Sequence, residues 1–217
     1  LTRIDRRHVW HPFTQMSEWE AQDPLIIEKG RGNYLIDMNG RRYLDGVSSL
    51  WVNLHGHRNR RIDSAIKRQL NGIAHSTLLG LSNVPSIELA ERLVNIAPKG
   101  LKRVFYSDNG STAVEIALKM AFQYCEQANG GSAKRRKFIA FTGAYHGDTF
   151  GSMSVGEIDI FVKKYRPLLF GTIRAPYPYC YRCPVDKDKS DCGTECLEAL
   201  EDLLKKHSHE TAACVIE

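Results

Sequence analysis

The stretch of this sequence best suited to chemistry is Ser107-Asp108-Asn109-Gly110-Ser111-Thr112-Ala113-Val114-Glu115, where a short apolar run gives way to a helical pattern. The first N–H groups of a helix have no partners within it and carry partial positive charge, so Gly110, Ser111 and Thr112 together offer an anion backbone and hydroxyl donors. The same residues also read as an ordinary helix start with Ser111 as its cap. No Gly-Lys-Ser/Thr follows, so this is not a Walker loop, and the absence of Gly-x-Gly-x-x-Gly excludes the dinucleotide fingerprint.

A second turn, Gly143-Ala144-Tyr145-His146-Gly147-Asp148-Thr149, follows the apolar run Lys137 to Thr142. Ligands of open α/β sheets sit beyond the carboxyl ends of strands, so the two turns are expected to face one pocket. The first would take a phosphate there, and Tyr145 would present a flat face to an aromatic ring. Taken singly, Tyr145 and His146 read more readily as a packed aromatic and a hydrogen-bonded loop histidine than as ligand contacts.

Two further groupings resemble metal sites. The spacing Cys180-x2-Cys183-x8-Cys192-x3-Cys196 invites zinc or disulfides, but eight residues between the pairs is short for a zinc ribbon. Free thiols in a Tyr- and Pro-rich connection are the expected state and no metal is assigned, with a metal-binding module built on these four cysteines as the non-enzymatic alternative. His55 and His57 alternate along an extended segment and so point apart; they are read as structural. Cys125 and Cys214 lie in apolar patterns and are expected to pack as small hydrophobes.

The elements that must position these residues change character along the chain. An aromatic arm, His8 to Met16, is interrupted by Pro12. Residues 24–28, 33–37 and 41–45 are β-prone, and Asn39-Gly40 marks a hairpin turn. Helical periodicity follows in Ile62, Ala65, Ile66, Leu70 and again in Ile87, Leu89, Ala90, Leu93, Val94, Ala97. A strand is expected at 103–107, a helix from Ala113 to Tyr124, a strand at 137–142, a helix from Leu197 to Lys206 and a strand from Ala212 to Ile216. This alternation argues for an α/β fold with a mostly parallel sheet, preceded by a small α+β segment. The boundary is set at 60/61: residues 1–60 form the arm and hairpin of a small domain, and 61–217 the first part of a larger, incomplete one.

Composition narrows the function classes. A chain 42% hydrophobic and 25% charged can bury a core, and its net charge of +5 is too mild to argue for nucleic acid. The one dense basic run, Lys134 to Lys137 after a Gly-rich loop, lacks the aromatic interleaving of a stacking platform and reads as a solvated loop. No apolar stretch approaches a membrane span and no signal-peptide core opens the chain, so a cytoplasmic protein without nucleic-acid or membrane partners is expected.

Taken together, residues 107–121, Tyr145-His146-Gly147-Asp148-Thr149 and Val215-Ile216-Glu217 resemble the class III (omega) aminotransferases. The likeness implies fold type I and pyridoxal phosphate as cofactor. It puts the phosphate on Gly110 and Ser111 beside Thr112, Tyr145 and His146 near the ring, and Glu217 near the cofactor-facing strands. Residues 10–16 and 45–57 resemble a branch that serves biotin synthesis. That implies 8-amino-7-oxononanoate as acceptor, with S-adenosylmethionine or lysine as donor, Trp51 and Tyr145 lining the substrate space, and a homodimer. Phe13 stands where several relatives have a tyrosine that meets both substrates, which leaves the donor open. An omega transaminase acting on ornithine or 4-aminobutyrate would share the cofactor contacts. In the family pattern the lysine that holds the cofactor lies C-terminal to Glu217, so this segment alone is expected to be inactive.

Overall fold

The computed structural model describes residues 1–128 and 134–217, and the Gly-rich stretch expected ahead of the basic run lies outside them. Contacts divide the chain into two compact units, 1–95 and 96–217. The boundary expected at 60/61 falls inside the first unit, because residues 61–95 group by contact with those before them.

In the first unit, α1 (Thr2–His8) and α2 (Met16–Glu20) flank the aromatic arm. The Asp5 carboxylate ties them, accepting a bond from Trp19 Nε1 at 3.0 Å. Three antiparallel strands follow, β1 (Ile27–Arg31), β2 (Tyr34–Asp37) and β3 (Arg42–Leu44). Gly40 sits at φ 78° in the expected hairpin turn, where a Cβ would be disfavoured. Buried Asp37 organises that turn, accepting from the backbone of Asn39 and Arg41 and from the Arg41 and Tyr43 side chains. Burial alone would raise its pKa, but the hydrogen bonds from Arg41, Tyr43 and Asn39 outweigh it and hold the carboxyl below its usual range.

The short turn α3 (Ser48–Trp51) and the helices α4 (Arg60–Gly72) and α5 (Val84–Ile96) complete this part. His57 is structural. Its Nε2 donates to Asp45 Oδ2 at 2.8 Å, and its Nδ1 accepts from Asn53 at 2.8 Å. A Cβ on Gly30 would fall 2.6 Å from the His57 ring, so β1 needs glycine at that position.

The second unit is a three-layer α/β/α arrangement. Its parallel sheet has the order β5-β4-β6, from β4 (Lys137–Phe141), β5 (Ile173–Ala175) and β6 (Thr211–Val215). Central β4 is buried on both faces, which is why it reads as a continuous apolar run. Phe138 and Ala140 pack with Leu118 of α6 (Gly110–Ala128) and Val155 of α7 (Phe150–Val155). Ile139 and Phe141 face the other way, against Leu200 and Leu203 of α9 (Glu195–His207); between these helices lies the short α8 (Asp159–Val162). Cys125 is buried in α6, whereas Cys214, expected to pack, is exposed because β6 lies at an edge of the described sheet.

One expected strand is not formed. Residues 103–107 keep the alternation of a strand, with Val104 and Tyr106 half-buried and their neighbours exposed, but no described strand pairs with them. A strand exists only through its ladder, and an alternating run without a partner stays irregular. No helix among the described residues is long and apolar enough to cross a membrane.

Candidate cofactor site

All the turns expected to carry chemistry in the second unit lie at one end of its sheet. β4 and β6 run parallel, so the turn after Phe141 and the residues after Val215 emerge side by side. Glu217 Oε2 accepts the Tyr145 backbone N–H at 2.8 Å, which fixes the start of the aromatic turn. The Tyr145 hydroxyl donates to Asp148 Oδ2 at 3.1 Å, and its ring lies 5.4 Å from that of Phe161. Burial, with Asp148 adding to it, raises the Tyr145 pKa, so the phenol stays protonated as a donor.

The helix start is capped by Asn109 rather than Ser111. Asn109 Oδ1 accepts the Thr112 N–H at 3.0 Å, and its carbonyl accepts from Ala113. Thr112 is taken up within the turn, its hydroxyl lying 2.7 Å from Asp108 Oδ1. That bond, with help from Asn109, holds the Asp108 carboxyl below its usual range. Ser111 is thereby left for another purpose. Its Oγ accepts the Asp148 N–H at 3.2 Å, across 37 residues of sequence. The phosphate-type turn and the aromatic turn are thus in direct contact.

The segment after Tyr145 is held at both ends. Glu115 Oε1 accepts from the Thr149 hydroxyl at 2.6 Å, from Gly151 N–H at 2.6 Å and from Ser152 N–H at 3.3 Å, serving as the cap of α7. At the other end, the Arg174 guanidinium donates to the carbonyls of Ser154, Val155 and Gly156. Burial lowers the Arg174 pKa, as does Arg166, while Glu157 opposes them.

The family model for class-III aminotransferases matches residues 15–217. The chain belongs to the class-III aminotransferase family. It is 59% identical to the adenosylmethionine-8-amino-7-oxononanoate aminotransferase of Nitratidesulfovibrio vulgaris, over 100% of this chain and 40% of that protein. The protein of the same name from Geobacter sulfurreducens is 56% identical over 98% of this chain and 47% of its own length. A crystal structure of the Methanocaldococcus jannaschii protein of that name superposes with a TM-score of 0.86 at 47% identity, covering 99% of this chain and 46% of that one. The omega transaminase of Pseudomonas jessenii in complex with PMP gives 0.88 at 29% identity, over 100% and 48%. The chain therefore spans less than half the length of these relatives.

Class-III aminotransferases depend on pyridoxal phosphate, and the geometry of this member fits its phosphate and ring. A hydroxyl has one proton and two lone pairs; Asp148 uses a lone pair of Ser111, so the Ser111 proton remains available to an anion. The N–H groups of Gly110 and Ser111 have no carbonyl to pair with inside their own helix. His146 Nε2 is buried and has no partner among the described residues. Burial lowers the His146 pKa, Glu217 raises it and Arg174 lowers it further, so the ring beside the site is held toward its neutral form.

Phe13 and Trp51 belong to the first unit and are exposed there, at 86% and 81%. Both sit at positive φ, 50° and 70°, and Trp51 ends a run of left-handed residues that begins at Ser48. Asp45 pins that run by accepting from Ser49 N–H at 2.7 Å. The four clustered cysteines line a narrow cavity of about 20 Å³. Among the described residues no group of three or more His, Cys, Asp or Glu side chains could hold a metal ion. Sequence reasoning missed Glu115 and Arg174 as functional supports; a helix carboxylate and a short-strand arginine carry no local signal of partners so far along the chain.

Proposed function

We propose that this segment supplies the phosphate and ring contacts of an enzyme that converts 8-amino-7-oxononanoate to 7,8-diaminononanoate in biotin synthesis. S-adenosylmethionine is the amino donor in this reading, with lysine the alternative. The names of relatives at 59% and 56% identity support the substrate. The single observation that carries the site is the Asp148 N–H bond to Ser111 Oγ, which joins the two turns.

Pyridoxal phosphate, when bound, supplies an electron sink that lets an amine lose its α-proton. Everything else assigned to this chain is binding and orientation. Gly110 and Ser111 N–H groups and the Ser111 hydroxyl hold the phosphate against the positive end of α6. Tyr145 covers a face of the ring and excludes water there, fixed by Glu217 through its backbone and by Asp148 through its hydroxyl. Trp51 and Phe13, in the first unit, are assigned to the keto acid by family resemblance alone. The proton-transferring lysine is not assigned to this chain: Lys137 is paired with Glu210 and Lys205 with Glu201. The reading also carries a cytoplasmic homodimer.

The test uses the full-length protein that contains this segment, loaded with pyridoxal phosphate. Amination of 8-amino-7-oxononanoate is measured with S-adenosylmethionine and with lysine, beside a panel holding ornithine and 4-aminobutyrate. Product from the oxononanoate well above the panel supports the proposal. Turnover of the panel alone reassigns the protein to another omega transaminase, and no turnover of any amine removes the enzymatic reading.

A further inference from the structure

Ser111 and Glu115 are one helical turn apart, so they project from the same face of α6. Opposite them lie Gly147 and Gly151, also four residues apart, and each glycine meets one of the two side chains. A Cβ on Gly147 would fall 1.9 Å from Ser111 Oγ, and one on Gly151 would fall 2.4 Å from Glu115 Oε2. Hydrogen bonds close the joint on both levels. Asp148 N–H reaches Ser111 Oγ at 3.2 Å, and Ser152 Oγ donates to the Ser111 carbonyl at 3.0 Å. Glu115 Oε1 collects the bonds from Thr149, Gly151 and Ser152.

We propose that Glu115 is a positioning residue that couples the two halves of the cofactor grip. The inference rests on the cofactor reading above. Ser111 and Gly110 ride on α6, while Tyr145 rides on the segment that Glu115 fastens to that helix. With the joint closed, phosphate and ring contacts are offered at one fixed separation, and a ligand that uses both pays no further ordering cost. With the joint open, each half still binds its own part of the ligand. What is lost is the advantage of binding both at once.

That difference gives a readout that general destabilisation does not produce. In the full-length protein, Glu115→Ala is expected to weaken pyridoxal phosphate by about tenfold or more, as loss of hydrogen bonds to a charged group implies. Pyridoxal, which has the ring but no phosphate, should change by less than about twofold on the same grounds. Affinities are read from the visible absorbance and circular dichroism of the bound ring. Gly151→Ala, which drives a methyl into the Glu115 carboxylate, should show the same selectivity. Glu115→Gln, which keeps one acceptor oxygen, should fall between wild type and Glu115→Ala, and it serves if the alanine variant does not fold. Equal losses for both ligands, or pyridoxal phosphate binding within about twofold of wild type, overturn the proposal. Failure of the wild-type protein to bind pyridoxal phosphate would instead remove the cofactor reading on which it stands.

Discussion

Ser111 has two tasks at a single oxygen: it accepts the Asp148 N–H at 3.2 Å and, in the proposed site, donates its proton to the phosphate. Ser111→Ala removes both, and a charge-assisted hydrogen bond of about 1.5–3 kcal/mol predicts at least a roughly tenfold weaker binding of pyridoxal phosphate. Equilibrium dialysis of the full-length variant checks this; unchanged affinity would mean that the hydroxyl does not meet the phosphate. Gly147→Ala attacks the same joint from the other side. Its φ is 119°, and the added Cβ would sit 1.9 Å from Ser111 Oγ, so both backbone strain and collision oppose it. Its expected result is a loss of cofactor affinity larger than that of Ser111→Ala, with a lowered melting temperature. The sequence made these residues visible because glycines and hydroxyls crowd two short turns. It did not show that Asn109, rather than Ser111, caps α6, since adjacent polar residues cap equally well by type and only geometry chooses between them. Glu115 stayed hidden because its partners lie 34 to 37 residues further on.

At the scale of elements, the legible ones have a strong local period or an obligatory turn. The hairpin follows from Asn39-Gly40, β4 from its unbroken apolar run, and α9 from its amphipathic pattern. Helix α7, Phe-Gly-Ser-Met-Ser-Val, was illegible. It is buried from Gly151 to Val155, so it has no polar face, and its small residues are poor helix formers that close packing against α6 requires. β5 is only three residues long, too short to carry a period, and 103–107 has the period without the partner. The joint where β4 and β6 begin makes an acid-sensitivity prediction. Lys137 and then His207 hold the Glu210 carboxyl at about 2 rather than its usual 4.5. A carboxyl depressed on folding contributes stability that is complete above its unfolded value and is lost as pH falls toward the folded one. The Glu210 contribution should therefore disappear between about pH 4.5 and about pH 2. Comparing the pH dependence of unfolding with that of Glu210→Gln isolates it: the variant should lose less stability than wild type across that window, and parallel curves would contradict the ion pair.

For the whole molecule, the contacts proposed as a cofactor grip do not by themselves supply every part of a transaminase site. The chain matches 40% and 47% of the length of its Nitratidesulfovibrio and Geobacter relatives. Within it, the groups proposed to hold a phosphate and a ring converge, while three of the lysines have other surroundings: Lys137 sits in an ion pair at the far end of β4, Lys205 pairs with Glu201 along α9, and Lys119 stands exposed on α6. In the proposed site, an amine that forms a covalent bond to the cofactor would have to reach a ring beside Tyr145, at the carboxyl end of the strands. None of these three is placed there, since Lys137 opens β4 and the other two lie on helices away from its turn. On the family pattern, the segment of 217 residues expressed alone is expected to give no borohydride-stable pyridoxyl label at a single lysine, Lys163 and Lys164 at the end of α8 included, whereas the full-length protein should give one. Peptide mapping by mass spectrometry reads the outcome. A unique label within the segment would mean that one of its own lysines swings into the site, and the division of labour argued from these turns would then have to be redrawn.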